Sequence, residues 1–213
     1  MASRIMHLAV ADALLREFDI DNPARFRLGS ILPDAKIDSH LRAAPHFQTS
    51  LPNGLTTYKL REFLSLYGER MQGDSLYLGY YLHLIQDIFY RRYMYALPHW
   101  DATIWENVLQ LHSDYRKINR YIIEGRSLEN GILLPEDFST ENINLRFEFD
   151  AEGFLRELEG DFISSSEGEY HHFTPEMADE YLAIAIDACR KELYAIRSGL
   201  PLLDEVEMAW GKE

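Results

Sequence analysis

Asp74-Ser75-Leu76-Tyr77-Leu78-Gly79-Tyr80-Tyr81-Leu82-His83-Leu84-Ile85-Gln86-Asp87-Ile88-Phe89-Tyr90 is the stretch that decides the fold. Wound as a helix, its residues Leu76, Tyr77, Tyr80, Tyr81, Leu84, Ile85, Ile88 and Phe89 leave hardly any polar face, the mark of a helix buried on all sides. The run free of charge, Ser75 to Gln86, is twelve residues, short of the roughly 18–20 needed to span a bilayer. The segment therefore predicts a central helix, capped by Asp74 and reaching to about residue 97, around which others pack. Two polar residues interrupt it. His83 and Asp87 are at i and i+4, so both project from one side of a segment otherwise surrounded by apolar groups. A charge in such a place requires a counter-charge, a metal or a proton.

Outward from this helix, apolar spacing stays helical almost throughout. Residues 4–18 carry Met6, Ala9, Val10, Ala13, Leu14 and Phe18 on one face behind Ser3 as N-cap. Asn22-Pro23 opens a short piece that Gly29 is placed to end at C′. Residues 30–54, with Pro33, Pro45, Pro52 and Asn53-Gly54, read as an irregular connection long enough to line a functional site. Helices are expected over 56–71, 103–124, 151–163 and 175–198. The 103–124 helix has Thr103 and Glu106 in capping-box spacing, with Trp105, Val108, Leu109, Tyr115, Ile118 and Ile122 inward. Leu145, Phe147 and Phe149 alternate with charged residues and suggest a short strand. The reading is an all-α, multi-helix bundle around the buried helix at about 75–97, a single domain over 1–213 with an acidic helical C-terminal part from about 129.

Composition excludes several classes. The chain has 213 residues, 46% of them hydrophobic and 26% charged, as in an ordinary globular protein. Its single cysteine, Cys189, permits no internal disulfide and suits a reducing compartment. Arg4, Asp12, Arg16 and Glu17 leave no apolar signal-peptide core, so the expected location is the cytoplasm. Residues 1–107 hold 11 Lys/Arg and 12 Asp/Glu, net −1, whereas 108–213 hold 10 and 23, net −13. Between Glu129 and Glu180, 15 acids face two arginines, which argues against duplex nucleic acid as a partner.

More histidines bear on the buried pair. His7 is in register with Val10 and Leu14, and His112 with Val108 and Tyr115, so both border apolar faces. The long connection offers Asp34 after Leu32-Pro33 and His46 before Phe47. Imidazole and carboxylate drawn from several helices and one loop form a ligand mixture suited to zinc or another divalent transition metal. The structural alternative is a His–Asp hydrogen-bonded pair that stabilises the bundle.

Met6-His7, Leu28-Gly29-Ser30-Ile31-Leu32-Pro33-Asp34, Pro45-His46-Phe47 and Leu78-Gly79-Tyr80-Tyr81-Leu82-His83-Leu84-Ile85-Gln86-Asp87 occur in the order that resembles the zinc-dependent phospholipase C family, whose superfamily includes fungal single-strand-specific nucleases. The resemblance covers roughly residues 5–90. It implies an all-α fold, one to three zinc ions, and His7, Asp34, His46, His83 and Asp87 as metal ligands. Asp87 would bridge ions, and Asp34 would take the position of the acid that binds metal or activates water. Secreted members of that family use their amino-terminal amine as a ligand, for which the Ala2 nitrogen is the counterpart if Met1 is removed. They also carry a further His where this chain has Tyr93. His112 is the candidate substitute, with Asp114, His99 and Asp101 as looser alternatives for a second metal. His40 lies nearer to Asp34 than His46 does, but lacks the following aromatic. The His171-His172 doublet reads as solvent-exposed.

These residues lead to the expectation of a metal-dependent phosphoester hydrolase acting on a small-molecule or lipid phosphoester. The alternative is a non-catalytic helical protein with a structural metal site or a buried His–Asp pair. A histidine–aspartate phosphohydrolase is disfavoured because the adjacent His-Asp dipeptide of that type is missing.

Overall fold

Capping side chains set where the helices begin. In the computed structural model, which describes residues 2–37, 45–98, 100–163, 168–200 and 202–211, Ser3 accepts the Met6 amide and opens α1 (Arg4–Glu17). Asn22 accepts the Arg25 amide and opens α2 (Pro23–Gly29). A 3-10 turn (Leu32–Asp34) follows. Two short antiparallel strands, β1 (Gln48–Ser50) and β2 (Thr56–Tyr58), pair with Thr49 opposite Thr57. The remaining helices are α3 (Leu60–Gly73), α4 (Ser75–Tyr95), α5 (Trp105–Arg126), α6 (Asn142–Phe147), α7 (Ala151–Ile163) and α8 (Pro175–Ser198). The protein is mostly helical, as the periodicity predicts, and none of its described helices is long and apolar enough to cross a membrane.

The α4 helix is the centre. Asp74 caps it by accepting the Leu76 amide, and from Ser75 to Tyr90 only Leu78 and Phe89 retain partial exposure. Its tyrosines reach outward to three different elements. Tyr77 donates to Glu141 at 2.9 Å, Tyr80 to the Pro45 carbonyl at 2.6 Å and Tyr81 to Glu192 at 2.6 Å. Each phenol buries its ring and satisfies its hydroxyl, so the three bonds tie the surrounding shell to the core helix.

The α2 helix lies directly on α4. A Cβ added to Gly29 would stand 2.0 Å from the Leu76 carbonyl oxygen, and one added to Gly79 would stand 2.2 Å from that of Phe26. Gly29 therefore ends inside the helix as a contact residue, not at the C′ position expected of it. The two glycines let the backbones touch, and this approach sets the position of the Leu32–Asp34 turn beside α4.

Other expectations need correction. Residues 142–147 form α6, not a strand: Ile143 and Phe147 are buried at i and i+4, while Leu145 is 64% exposed. The helical pair outweighs the two-residue alternation, and Glu148, at φ 52°, turns the chain before Phe149. Thr103 does not cap α5. Its amide and hydroxyl bond Asp101, at 2.9 and 2.7 Å, and Trp105, expected inward, is 69% exposed. The helix expected over 56–71 begins only at Leu60, because Thr56–Tyr58 form the second strand of the β1–β2 hairpin. The hairpin gains its third partner from far away, since Thr56 and Trp210 exchange backbone hydrogen bonds at 2.8 and 2.9 Å.

Gly79→Ala is expected to destabilise the fold by about 2–3 kcal/mol, because the methyl must displace backbone. Gly68→Ala, on α3 with no atom within 4 Å of the added Cβ, is expected to stabilise it by roughly 0.5–1 kcal/mol. Urea denaturation of both variants measures the contrast, and equal effects would remove the close-approach account.

Candidate metal centre

Five of the six expected ligands converge. His7 comes from the first half of α1, Asp34 from the 3-10 turn, His46 from the loop before β1, and His83 and Asp87 from α4. Their atoms form two overlapping groups, His7–His83–Asp87 and Asp34–His46–His83, in each of which the ligand atoms lie within 4.8 Å of one another. All five side chains are buried, Asp34 the least so at 7% exposure.

Local structure aims each of them. Tyr80 holds the Pro45 carbonyl next to His46. Phe47 then takes φ 54°, a conformation uncommon for an aromatic residue, and packs edge-on against Phe63 at 5.5 Å. The strained turn redirects the chain while leaving the His46 imidazole pointed inward. His7 and His83 stack with ring centroids 4.0 Å apart. Because Gly29 and Gly79 bring α2 onto α4, the Ser30 carbonyl comes within 2.9 Å of His83 Nδ1.

The hydrogen bonds fix the tautomers. A backbone carbonyl only accepts, so His83 Nδ1 donates to Ser30 and its Nε2 carries a lone pair. His7 Nδ1 likewise faces Gln86 Oε1 at 2.9 Å. The Nε2 atoms then face one another and the two carboxylates, and with its Nε2 unprotonated His83 accepts from His46 Nε2. His83 Nε2 is 3.2 Å from His46 Nε2, 3.9 Å from Asp87 Oδ2 and 4.0 Å from Asp34 Oδ1. His7 Nε2 is 3.5 Å from Asp87 Oδ1 and 3.9 Å from Asp34 Oδ2, and His46 Nε2 is 3.4 Å from Asp34 Oδ1. Buried His7 Nε2 and Asp34 Oδ1 have no hydrogen-bond partner among the described residues.

Tetrahedral ligands about 2.0–2.2 Å from a metal lie about 3.3–3.6 Å from one another. The separations here, 3.2–4.0 Å, straddle that spacing, so the donors could hold a divalent cation, which would satisfy the orphaned atoms. Both histidines whose tautomer is fixed already make the outer hydrogen bond that orients a metal-binding imidazole. Two further donors touch Asp87: the Tyr58 hydroxyl at 3.0 Å from Oδ2 and the Ala2 nitrogen at 3.0 Å from Oδ1.

The electrostatics follow from the crowding. Burial pushes His83 down to about 3, and the neighbouring His7 adds to the shift. Burial acts to raise Asp34, but the imidazoles of His83, His46 and His7 outweigh it and hold the carboxyl at about 2. Asp87 is likewise held well below the usual carboxylate range against the effect of burial, with His7 and His83 contributing. Burial also lowers His7, yet Asp87 and Asp34 outweigh it and raise that imidazole. The centre is thus two carboxylates kept ionised in a dry core, with His7 drawn towards a positive charge wherever no cation balances them.

The remaining candidates sit elsewhere. His112 belongs to neither donor group: it is exposed on α5, stacked on Tyr115 at 5.9 Å, and lines a cavity beside the centre. Its register with Val108 and Tyr115 brings it to the cavity wall and no further. Asp114 is fully buried but accepts the backbone amides of His171, His172 and Phe173 at 2.8–3.1 Å and pairs with Lys117 at 3.3 Å. Asp101 serves the Thr103 turn, and Tyr93 donates to Glu180 at 2.8 Å. His171 is exposed as expected, whereas His172 is half-buried and bonds Gln110. His40 and His99 lie outside the described residues.

Sequence reasoning missed Tyr58, Gln86, the Ser30 carbonyl and Arg91. The last was legible, because His83, Asp87 and Arg91 follow each other at four-residue intervals on one face of α4. The cavity beside the centre has a volume of about 670 Å³ and is lined by Ala2, Asp34, Arg91, Trp100 and Leu111 among others. No family model, curated protein or solved structure matches the chain.

Asp114→Ala is expected to cost about 1–3 kcal/mol through the loop amides it leaves unpaired, with metal content unchanged. Loss of bound metal in a folded Asp114→Ala protein, read by elemental analysis, would place Asp114 in the centre after all.

Proposed function

We propose that this chain is a metal-dependent phosphoester hydrolase, with His7, Asp34, His46, His83 and Asp87 holding zinc or a similar divalent ion. One observation carries the reading: imidazole nitrogens of His7, His46 and His83 and carboxylate oxygens of Asp34 and Asp87 gather in two overlapping groups in the buried core, in each of which they lie within 4.8 Å of one another. Two buried carboxylates brought this close repel unless a cation or protons balance them. The two donor groups, which share His83, would support one or two ions. The resemblance to the zinc-dependent phospholipase C family points the same way, and its fold is the one proposed for the whole chain.

A purely structural site would be closed by protein ligands, whereas a catalytic one stays open to substrate. The 670 Å³ cavity that reaches Asp34 favours the open case over the non-catalytic alternative. When bound, the ions would supply Lewis acidity, neutralising phosphate charge and lowering the pKa of water towards ~7. The residues supply everything else. Asp34, ionised down to about 2, is a poor store for a proton at neutral pH, so its role is to bind and orient. Tyr58 donates to Asp87 and fixes which carboxylate lone pairs remain for ligation. Ser30 and Gln86 hold the imidazoles in the tautomer that leaves Nε2 bare. Among the described residues, the apolar shell of α1, α2 and α4 covers the far side, and a substrate would approach through the cavity. Lipid head groups rest on the family resemblance alone, and a small phosphoester suits a chamber of this size.

Protein purified without an affinity tag is expected to bind one or two zinc ions per chain and to melt at a higher temperature with zinc, since a ligand specific for the folded state stabilises it. Asp87→Asn should lose both the metal and the rise, while His112→Ala should keep both. Hydrolysis of a chromogenic phosphomonoester or diester should stop with a chelator and return with zinc, manganese or cobalt. An equal zinc-induced rise in wild type and Asp87→Asn would refute the ligand assignment, and chelator-insensitive hydrolysis would refute the mechanism.

A further inference from the structure

Three arginines line the cavity beside the centre, and they differ in what they already hold. Arg4 is committed to α7, with Nε 2.6 Å from Asp161 and Nη1 3.1 Å from Glu157. Arg116 is exposed and stands where solvent screens it. Arg91 is different. It sits one turn beyond Asp87 on α4, its Nε is buried, and that atom has no hydrogen-bond partner among the described residues. Its charge faces Asp87, and its guanidinium bonds the Tyr58 hydroxyl, which itself donates to Asp87. A guanidinium has five donors in a planar fork matched to phosphate or carboxylate. One that lines a cavity wall, with its Nε unpaired among the described residues, has donors left to offer an oxyanion.

Another part of the lining is apolar. Trp100 and Leu111 are each only 5% exposed, and with Val108 they line the same chamber with apolar surface. At about 670 Å³ the chamber is far larger than a phosphate ion requires and falls within the ~300–1,000 Å³ usual for small-molecule sites.

We propose that Arg91 grips the phosphate of the substrate, and that the substrate is a phosphate ester whose apolar or aromatic organic group lies against Trp100, Val108 and Leu111. The assignment rests on the hydrolase reading for what happens to the ester, but the anion site itself is built from Arg91 and the cavity. Arg91 is a substrate-binding residue here. Asp34 lines the same chamber, so an anion on Arg91 shares it with a ligand of the proposed ions.

Calorimetric titration with two probes, inorganic phosphate and the non-hydrolysable phenylphosphonate, tests this on zinc-loaded wild type, Arg91→Gln and Arg91→Lys, with zinc per chain measured on the same samples. Phenylphosphonate is expected to bind wild type about ten-fold tighter than phosphate. Arg91→Gln should weaken both probes about ten-fold, roughly 1.4 kcal/mol, at unchanged zinc content, and Arg91→Lys should recover part of the loss. Unchanged affinity in folded Arg91→Gln overturns the proposal. So does a parallel loss of zinc, which would make Arg91 a support for Asp87 and Tyr58. Phenylphosphonate binding no tighter than phosphate overturns the apolar wall. A wild type that takes no zinc is a failure of the metal reading instead, and Arg91-dependent phosphate binding in that metal-free protein would still uphold the anion site. Where Arg91→Gln does not fold, Val108→Trp gives the independent readout: phenylphosphonate binding lost with phosphate binding retained is expected, and both retained overturns the wall.

Discussion

The constraint on which the structure depends is the burial of Asp87 in the middle of a helix that has no solvent face. A carboxylate there cannot be left alone, because an unpaired charge in a dry core costs several kcal/mol after relaxation. The neighbouring elements answer that demand in turn. The loop ahead of α1 brings the Ala2 nitrogen, β2 brings the Tyr58 hydroxyl, α1 brings His7 and α4 itself brings His83. Few of these partners are close in sequence, so the topology of the bundle is what delivers them. Yet the same crowding gathers more acceptors than donors. Among the described residues, satisfying Asp87 by protein groups alone leaves His7 Nε2 and Asp34 Oδ1 without partners, and a divalent cation would satisfy both at once.

Backbone contact between α2 and α4 transmits this geometry. Without a side chain at Gly29 or Gly79, the helices approach until a Cβ would overlap a carbonyl oxygen. At that distance Ser30, just after α2, reaches His83, and the 3-10 turn that follows carries Asp34 to the same point. A wider helix separation would move both by the diameter of a methyl group, which is comparable with the spacing among the ligands. The two glycines therefore belong to the centre, although neither touches it.

The expectations that the structure supports were those written in the order and spacing of residues. Helical periodicity and caps located α1, α2, α4, α7 and α8, and the His83–Asp87 pair followed from i, i+4 geometry on a helix that had to be buried. What was not legible depended on distance along the chain. The β1–β2 hairpin is three residues a side and is completed by Trp210, a partner no local pattern reveals. Gly29 read as a helix end because local rules know nothing of α4. Alternation at 145–149 and the buried pair Ile143/Phe147 made competing claims on the same residues, and tertiary burial favoured the helix. His112 bordered an apolar face as expected, but that face forms a cavity wall, and sequence register does not distinguish a wall from a centre.

The charge asymmetry of the chain takes on a local meaning at the cavity. The acidic second half does not simply coat the surface: Glu157 and Asp161 of α7 turn towards α1 and neutralise Arg4, and Glu157 also meets Lys36. These pairs neutralise Arg4 and, with Arg116 exposed to solvent, leave Arg91, which faces Asp87 of the centre. If ions occupy the donor groups, Asp34 and Asp87 are spent on them, and the positive charge of Arg91 is then unopposed. An anion in the chamber would restore the balance. A net acidic surface does not by itself exclude an anion from the cavity, because over the few ångströms around Arg91 the nearest charges outweigh the net charge of the chain.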